Sequence, residues 1–151
     1  MNLFLDFEKA CSDPSPTVEE FENWIRSAAD AVKHSLETIE VSMKVVGEPE
    51  MSFLNSTFRG KNGPTNILSF SADLPTEVEL SLLGDIAICA PLVRKEAAQQ
   101  SKCETAHWAH LTVHGALHLM GFDHKNESQS LEMESIESLV LARLGIDNPY
   151  L

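Results

Sequence analysis

Positive charge is scarce in this chain. Eleven Lys and Arg stand against 23 Asp and Glu in 151 residues, a formal net charge of -12. That balance excludes a protein that coats nucleic acid nonspecifically. Cysteine is scarce as well: Cys11, Cys89 and Cys103 have no CxxC spacing and no even count. They offer neither a disulfide framework nor a thiolate metal site, and suit a reducing, cytoplasmic setting. No apolar run approaches the ~20 residues that cross a bilayer, so no membrane association is expected. The opening MNLFLDFEKACSD carries no basic leader before its apolar stretch, so a secretory signal is not expected. Repeats, low-complexity tracts and linkers are missing too. With 43% hydrophobic and 23% charged residues, the expectation is one soluble domain over 1–151 with a core that needs no staples.

The few cations are not spread evenly. Residues 1–50 hold 11 acids and 4 bases, residues 103–151 hold 7 and 2, and residues 51–102 hold 5 of each. From Met51 to Ala72 there is no acid, and Arg59 and Lys61 lie in that gap. A polyanion received there would be repelled elsewhere, which favours one docking mode over general adhesion. Acidic helix faces with a chance gap account for the charges equally well.

Periodicity predicts about four strands and five helices. Leu3 and Leu5 alternate in a short strand. Thr17-Val-Glu-Glu20 is a capping-box pattern that opens a helix to about His34, with Phe21, Trp24, Ile25 and Ala28 at helical spacing. Thr38–Val46 alternates as a half-buried strand. Glu48 to about Thr57 reads as a helix with Pro49 in its first turn. Thr65–Phe70 and Leu82–Cys89 read as strands, with Gly84 marking a bulge or a close backbone approach. Helices are expected over Ala90 to about Gln100, Glu104 to Met120 (ended by Gly121) and Ser128 to Leu144 (ended by Gly145). The class is α+β, a small mixed sheet packed with helices.

What is abundant is histidine in one place: five of the six lie within the 18 residues from His107 to His124. His114 and His118 are one helical turn apart, so both rings project from one face, about 6 Å apart along the axis. Gly121 then lets the chain reverse and return His124 to the same point. Three neutral imidazoles without thiolates favour one Zn2+ per chain, the fourth tetrahedral position being left for water as in catalytic zinc sites. The zinc site is therefore expected on a helix and the turn after it. His110, one turn before His114, is a candidate to support the ligands, and Asp123 either orients His124 or shapes the turn. His107 and Trp108 are read as helix packing.

The spacing H-x3-H-x2-G-x2-H matches the metzincin signature H-E-x-x-H-x-x-G-x-x-H at every position but one. The glutamate that is the general base of those proteases is Gly115 here. Without it a peptidase needs another base.

With HGALHLMGFDH, the segment Leu54-Asn-Ser-Thr-Phe-Arg-Gly-Lys-Asn-Gly-Pro-Thr-Asn-Ile-Leu-Ser-Phe70, the run Leu83-Gly-Asp-Ile86 and the closing Asn148-Pro-Tyr150, the chain resembles the YbeY family over nearly its whole length. The resemblance implies a small, cytoplasmic, mixed α/β protein: a bacterial zinc-dependent endoribonuclease that acts on single-stranded RNA. It further implies a role in maturation of the 16S rRNA 3′ end and in late ribosome quality control, with ribosomal or small-subunit assembly proteins as partners. It makes His114, His118 and His124 the zinc ligands and Arg59 the functional arginine. Lys61, Ser69 and Asp85 are weaker candidates. Asn62 and Asn66 stand where acids are common in the family, and are expected to keep turn and capping ability. Phe58 and Phe70 offer no clear stacking platform and fit a core as well. Two other functions fit the same ligands: a ribosome-assembly factor whose zinc is structural, and a zinc hydrolase of a peptide or nucleotide.

Overall fold

The computed structural model describes residues 2–32, 37–72 and 82–150. Strand β1 (Asn2–Lys9) puts Leu3, Leu5 and Phe7 on one face and Phe4, Asp6 and Glu8 on the other. Helix α1 (Val18–Ala31) starts at Thr17, whose hydroxyl accepts the Glu20 amide while the Glu20 carboxylate accepts the Thr17 amide. The expected end of this helix near His34 lies outside the described residues. Strand β2 (Thr38–Val46) runs parallel to β1, so the two strands and α1 form a β-α-β unit.

Helix α2 (Glu48–Arg59) runs two residues past its expected end at Thr57, so Arg59 sits in its last turn before Gly60 stops it. Strand β3 (Ile67–Ser71) begins two residues later than the expected Thr65. Strand β4 (Leu82–Cys89) pairs parallel with β2 and antiparallel with β3, giving the sheet order β1-β2-β4-β3. Helices α3 (Ala90–Gln99), α4 (Glu104–Leu119) and α5 (Glu127–Arg143) follow. Among the described residues, four strands and five helices make the α+β fold that periodicity predicts.

One face of the sheet carries the main core. Val41, Met43, Val45, Ile86 and Ile88 pack against α1, α4 and α5, with Phe21 edge-on to both Trp24 and Trp108. Burying such side chains contributes roughly 1.5–3 kcal/mol each. A smaller cluster on the opposite face, Val46, Met51, Leu68, Ala87 and Cys89, seats α2. The rest of that face is open and carries Asp6, Glu8, Lys44 and Asp85. Among the described residues no helix is long and apolar enough to cross a membrane.

Gly84 shows why a glycine stands inside a strand. Its φ is +148°, and a β-carbon would lie 2.1 Å from the Phe70 carbonyl oxygen. The register of β2 on β4 shifts at the same level, between Glu40 and Val41. Both the close approach and the irregularity suggested by the sequence are present.

Candidate functional site

Helix α4 is divided lengthwise. Trp108, Ala109, Val113, Ala116 and Leu117 face the core, while His110, His114 and His118, four residues apart, lie on a half-exposed stripe. The helix ends in a Schellman turn: Gly121, at φ +100°, donates its amide to the His118 carbonyl, and the Phe122 amide reaches the Leu117 carbonyl. The reversal carries the chain back to His124. Asp123 Oδ1 accepts the His124 backbone amide at 2.7 Å, and Ser130 Oγ donates to the His124 carbonyl at 3.4 Å, fixing the turn to the start of α5. Asp123 stands 4.0 Å from the His124 ring nitrogen, so its hydrogen bond is to the turn and not to the imidazole.

The result is a cluster in which one nitrogen from each of His114, His118 and His124 lies within 4.8 Å of the others. The His114 and His118 Nε2 atoms are 3.1 Å apart. Tetrahedral zinc with bonds of about 2.0–2.1 Å needs ligand nitrogens ~3.3–3.4 Å apart. The His114–His118 pair is close to that spacing, and the exposed His124 side chain has room to close on the same point. Burial, with the neighbouring His114 and His124 charges, pushes the His118 pKa down. That favours the neutral imidazole a metal requires.

A buried glutamate from α5 backs the cluster. The Glu137 side chain is 1% exposed and accepts a hydrogen bond from His114 Nδ1, on the far side of the ring from the cluster. Its other oxygen takes His110 Nε2 at 3.2 Å and the Tyr150 hydroxyl. Burial pushes the carboxyl pKa up, but the hydrogen bonds from His110, His114 and Tyr150 outweigh it and hold it at about 2. Three donors compensate much of the cost of burying the ion. Sequence reasoning missed Glu137. Its one signal is an acid in the apolar stripe of α5, between Met133 and Val140-Leu141. His110, a candidate to support the ligands, touches the carboxylate that holds one of them.

Beside the histidines lies a cleft of about 840 Å³ whose lining includes Arg59, Ser69, Lys125 and Tyr150. Arg59 crosses the edge of β3, donating Nη2 to the Ser69 carbonyl at 2.7 Å with its guanidinium 4.8 Å above the Phe70 ring. None of the ion pairs among the described residues involves it. Phe58, 57% exposed, packs edge-on against Phe70 and is not core. The fold does not bring every sequence candidate here. Lys61 follows the end of α2 and does not line the cleft; Asp85 lines the groove on the opposite face of the sheet.

Gly115 faces the sheet. A β-carbon there would come within 2.9 Å of Ile67 and 3.0 Å of Ser69 Oγ, and the Gly115 carbonyl accepts Ser69 Oγ at 3.3 Å. The missing glutamate thus has a packing reason: the position lets α4 approach β3. Asn66 does more than shape a turn. Its amide donates to Glu96, which also holds His107, tying the start of β3 to α3 and α4. An aspartate there would face the Glu96 carboxylate.

The family model described as Endoribonuclease YbeY matches residues 7–145. The solution structure of TM1509 from Thermotoga maritima is similar at a TM-score of 0.61 and 22% identity, over 94% of this chain and 92% of that one. At that identity the likeness speaks for the fold.

Proposed function

Since the chain belongs to the YbeY endoribonuclease family, we propose that it is a zinc-dependent endoribonuclease of single-stranded RNA, acting in 16S rRNA 3′-end maturation and late ribosome quality control. The observation that carries this reading is the opening of the three-histidine cluster onto the same cleft as Arg59. A structural metal is normally closed by four protein ligands; here three converge and one of them, His124, is exposed. When bound, zinc supplies Lewis acidity to a phosphate oxygen and lowers the pKa of water to about 7. His114, His118 and His124 hold the ion. Arg59, unpaired with any described carboxylate and steadied by the Ser69 carbonyl and the Phe70 ring, binds the scissile phosphate and the charge that develops on it. Lys125, which also lines the cleft and stands 3.6 Å from the Asp123 carboxylate, meets the neighbouring backbone. Single strands suit the site because their backbone and bases are accessible. Asp123 and His110 support the turn and the ligand stripe, Ser69 shapes the wall, and Lys61 and Asp85 are assigned no part in the chemistry.

The test incubates purified protein with precursor rRNA, with and without chelator, beside His114→Ala. Cleavage should stop under both treatments, and zinc should raise the unfolding midpoint of the wild type only. Cleavage indifferent to chelator and to His114→Ala would refute the reading. End-group analysis separates attack by the ribose 2′-hydroxyl, which leaves a 2′,3′-cyclic phosphate, from attack by water.

A further inference from the structure

The closing Asn148-Pro149-Tyr150 is a sequence motif for which metal and phosphate binding leave no role, and its place in the structure is specific. Asn148 Oδ1 accepts hydrogen bonds from Ser138 Oγ on α5 at 3.2 Å and from the Tyr150 amide at 2.8 Å. This folds the tail back so that the Tyr150 hydroxyl reaches Glu137, one residue before Ser138. The same hydroxyl lies 3.1 Å from His110 Nε2, and the two rings meet edge-on at 5.5 Å. His110 Nδ1 is buried without a partner, so the proton of this ring belongs on Nε2, shared between Glu137 and Tyr150.

We propose that Glu137 and Tyr150 are positioning residues for the metal ligand His114. Glu137 accepts the hydrogen bond of the His114 Nδ1–H, and Tyr150, with His110, fixes the carboxylate that accepts it. The geometry has one consequence for the imidazole. With Nδ1 committed to a carboxylate, the lone pair is on Nε2, the atom that faces His118 Nε2 at 3.1 Å. The carboxylate also holds the ring plane and raises the basicity of the ligating nitrogen. Without the tail hydroxyl, Glu137 Oε2 keeps only His110, and the carboxylate is free to turn away from His114. The C-terminal tail thereby acts on the metal centre through α5, although it supplies no ligand.

This inference rests on the metal reading above, and the experiment keeps the two apart. Zinc affinity is measured by competition with a chromophoric chelator on the full chain as wild type, His114→Ala, Glu137→Gln and Tyr150→Phe. The metal-free proteins are then compared by the imidazole ¹⁵N shifts of His114. Glu137→Gln should weaken zinc roughly 10–100-fold, and Tyr150→Phe by a smaller factor. Wild type should show His114 protonated on Nδ1, and Glu137→Gln a mixture of both tautomers, a change that a purely packing role does not produce. Full zinc affinity in His114→Ala overturns the metal reading. Loss of zinc in His114→Ala, with wild-type affinity and tautomer in a folded Glu137→Gln, overturns the positioning role alone. Should Glu137→Gln not fold, Tyr150→Phe, which leaves the buried carboxylate in place, decides by the same two measurements.

Discussion

At Gly84 the distance from a would-be β-carbon to the Phe70 carbonyl leaves no compromise, because the obstructing atom is backbone on the neighbouring strand. Gly84→Ala is expected to cost at least about 2 kcal/mol, from the clash and from a φ of +148° that alanine rarely adopts. A urea midpoint equal to wild type would show that the strand can give. Arg59 calls for a different readout, since it is exposed and its loss creates no cavity. Arg59→Ala should lower RNA cleavage about 10²–10³-fold, the usual cost of one charge-stabilising donor, while zinc affinity stays unchanged. Full cleavage would remove it from the chemistry. The contrast with Glu137 explains what single residues revealed in advance. His114 and His118 are recognisable because helical spacing alone puts them together. Glu137 meets His114 across 23 residues of chain, through the packing of α5 on α4, and local pattern does not encode that meeting. Lys61 and Asp85 share the motif segments but not the cleft. Lys61 lies in the loop after α2, and Asp85, on the central strand β4, lines the groove on the opposite face of the sheet, which alternation alone does not assign to one side or the other.

Among the elements, starts and stops with chemical signals were readable and strand order was not. The Thr17–Glu20 capping box, the glycine after α4 and the alternation of β2 act within a few residues of chain. The order β1-β2-β4-β3 depends on where α1 and α2 carry the chain between strands, which alternation leaves open. The caps also give a clean test. Thr17→Ala removes the acceptor of the Glu20 amide and loosens the reciprocal bond on an exposed helix end. It should cost about 1 kcal/mol. As no residue of α1 lines the cleft, cleavage of RNA should be unaffected. A loss of activity larger than the loss of stability would mean that α1 reaches the site. The small shifts at α2 and β3 matter more than their size. Two extra residues on α2 place Arg59 on its last turn, where it can cross the β3 edge to Ser69 and enter the cleft.

Taken whole, the molecule is an acidic body with few cations near its histidines. Among the described residues that line the cleft, only Arg59 and Lys125 carry a permanent positive charge, against a net charge of -12. A single strand bound through two phosphates should lose affinity with salt at a log–log slope of about -1.4, at ~0.7 per phosphate. Repulsion from the rest of the surface acts in the opposite sense, because added salt screens it, so the observed slope should be shallower still. Anisotropy titrations of a 2′-O-methyl oligonucleotide, which has no 2′-hydroxyl to react, measure this without cleavage. A slope near -1 would mean that affinity comes from the metal centre and its two cations, and that the acidic exterior restricts binding to that one cleft. A slope of about -5 would require a basic track elsewhere on the chain, and the one-cleft account of RNA binding would fall with it.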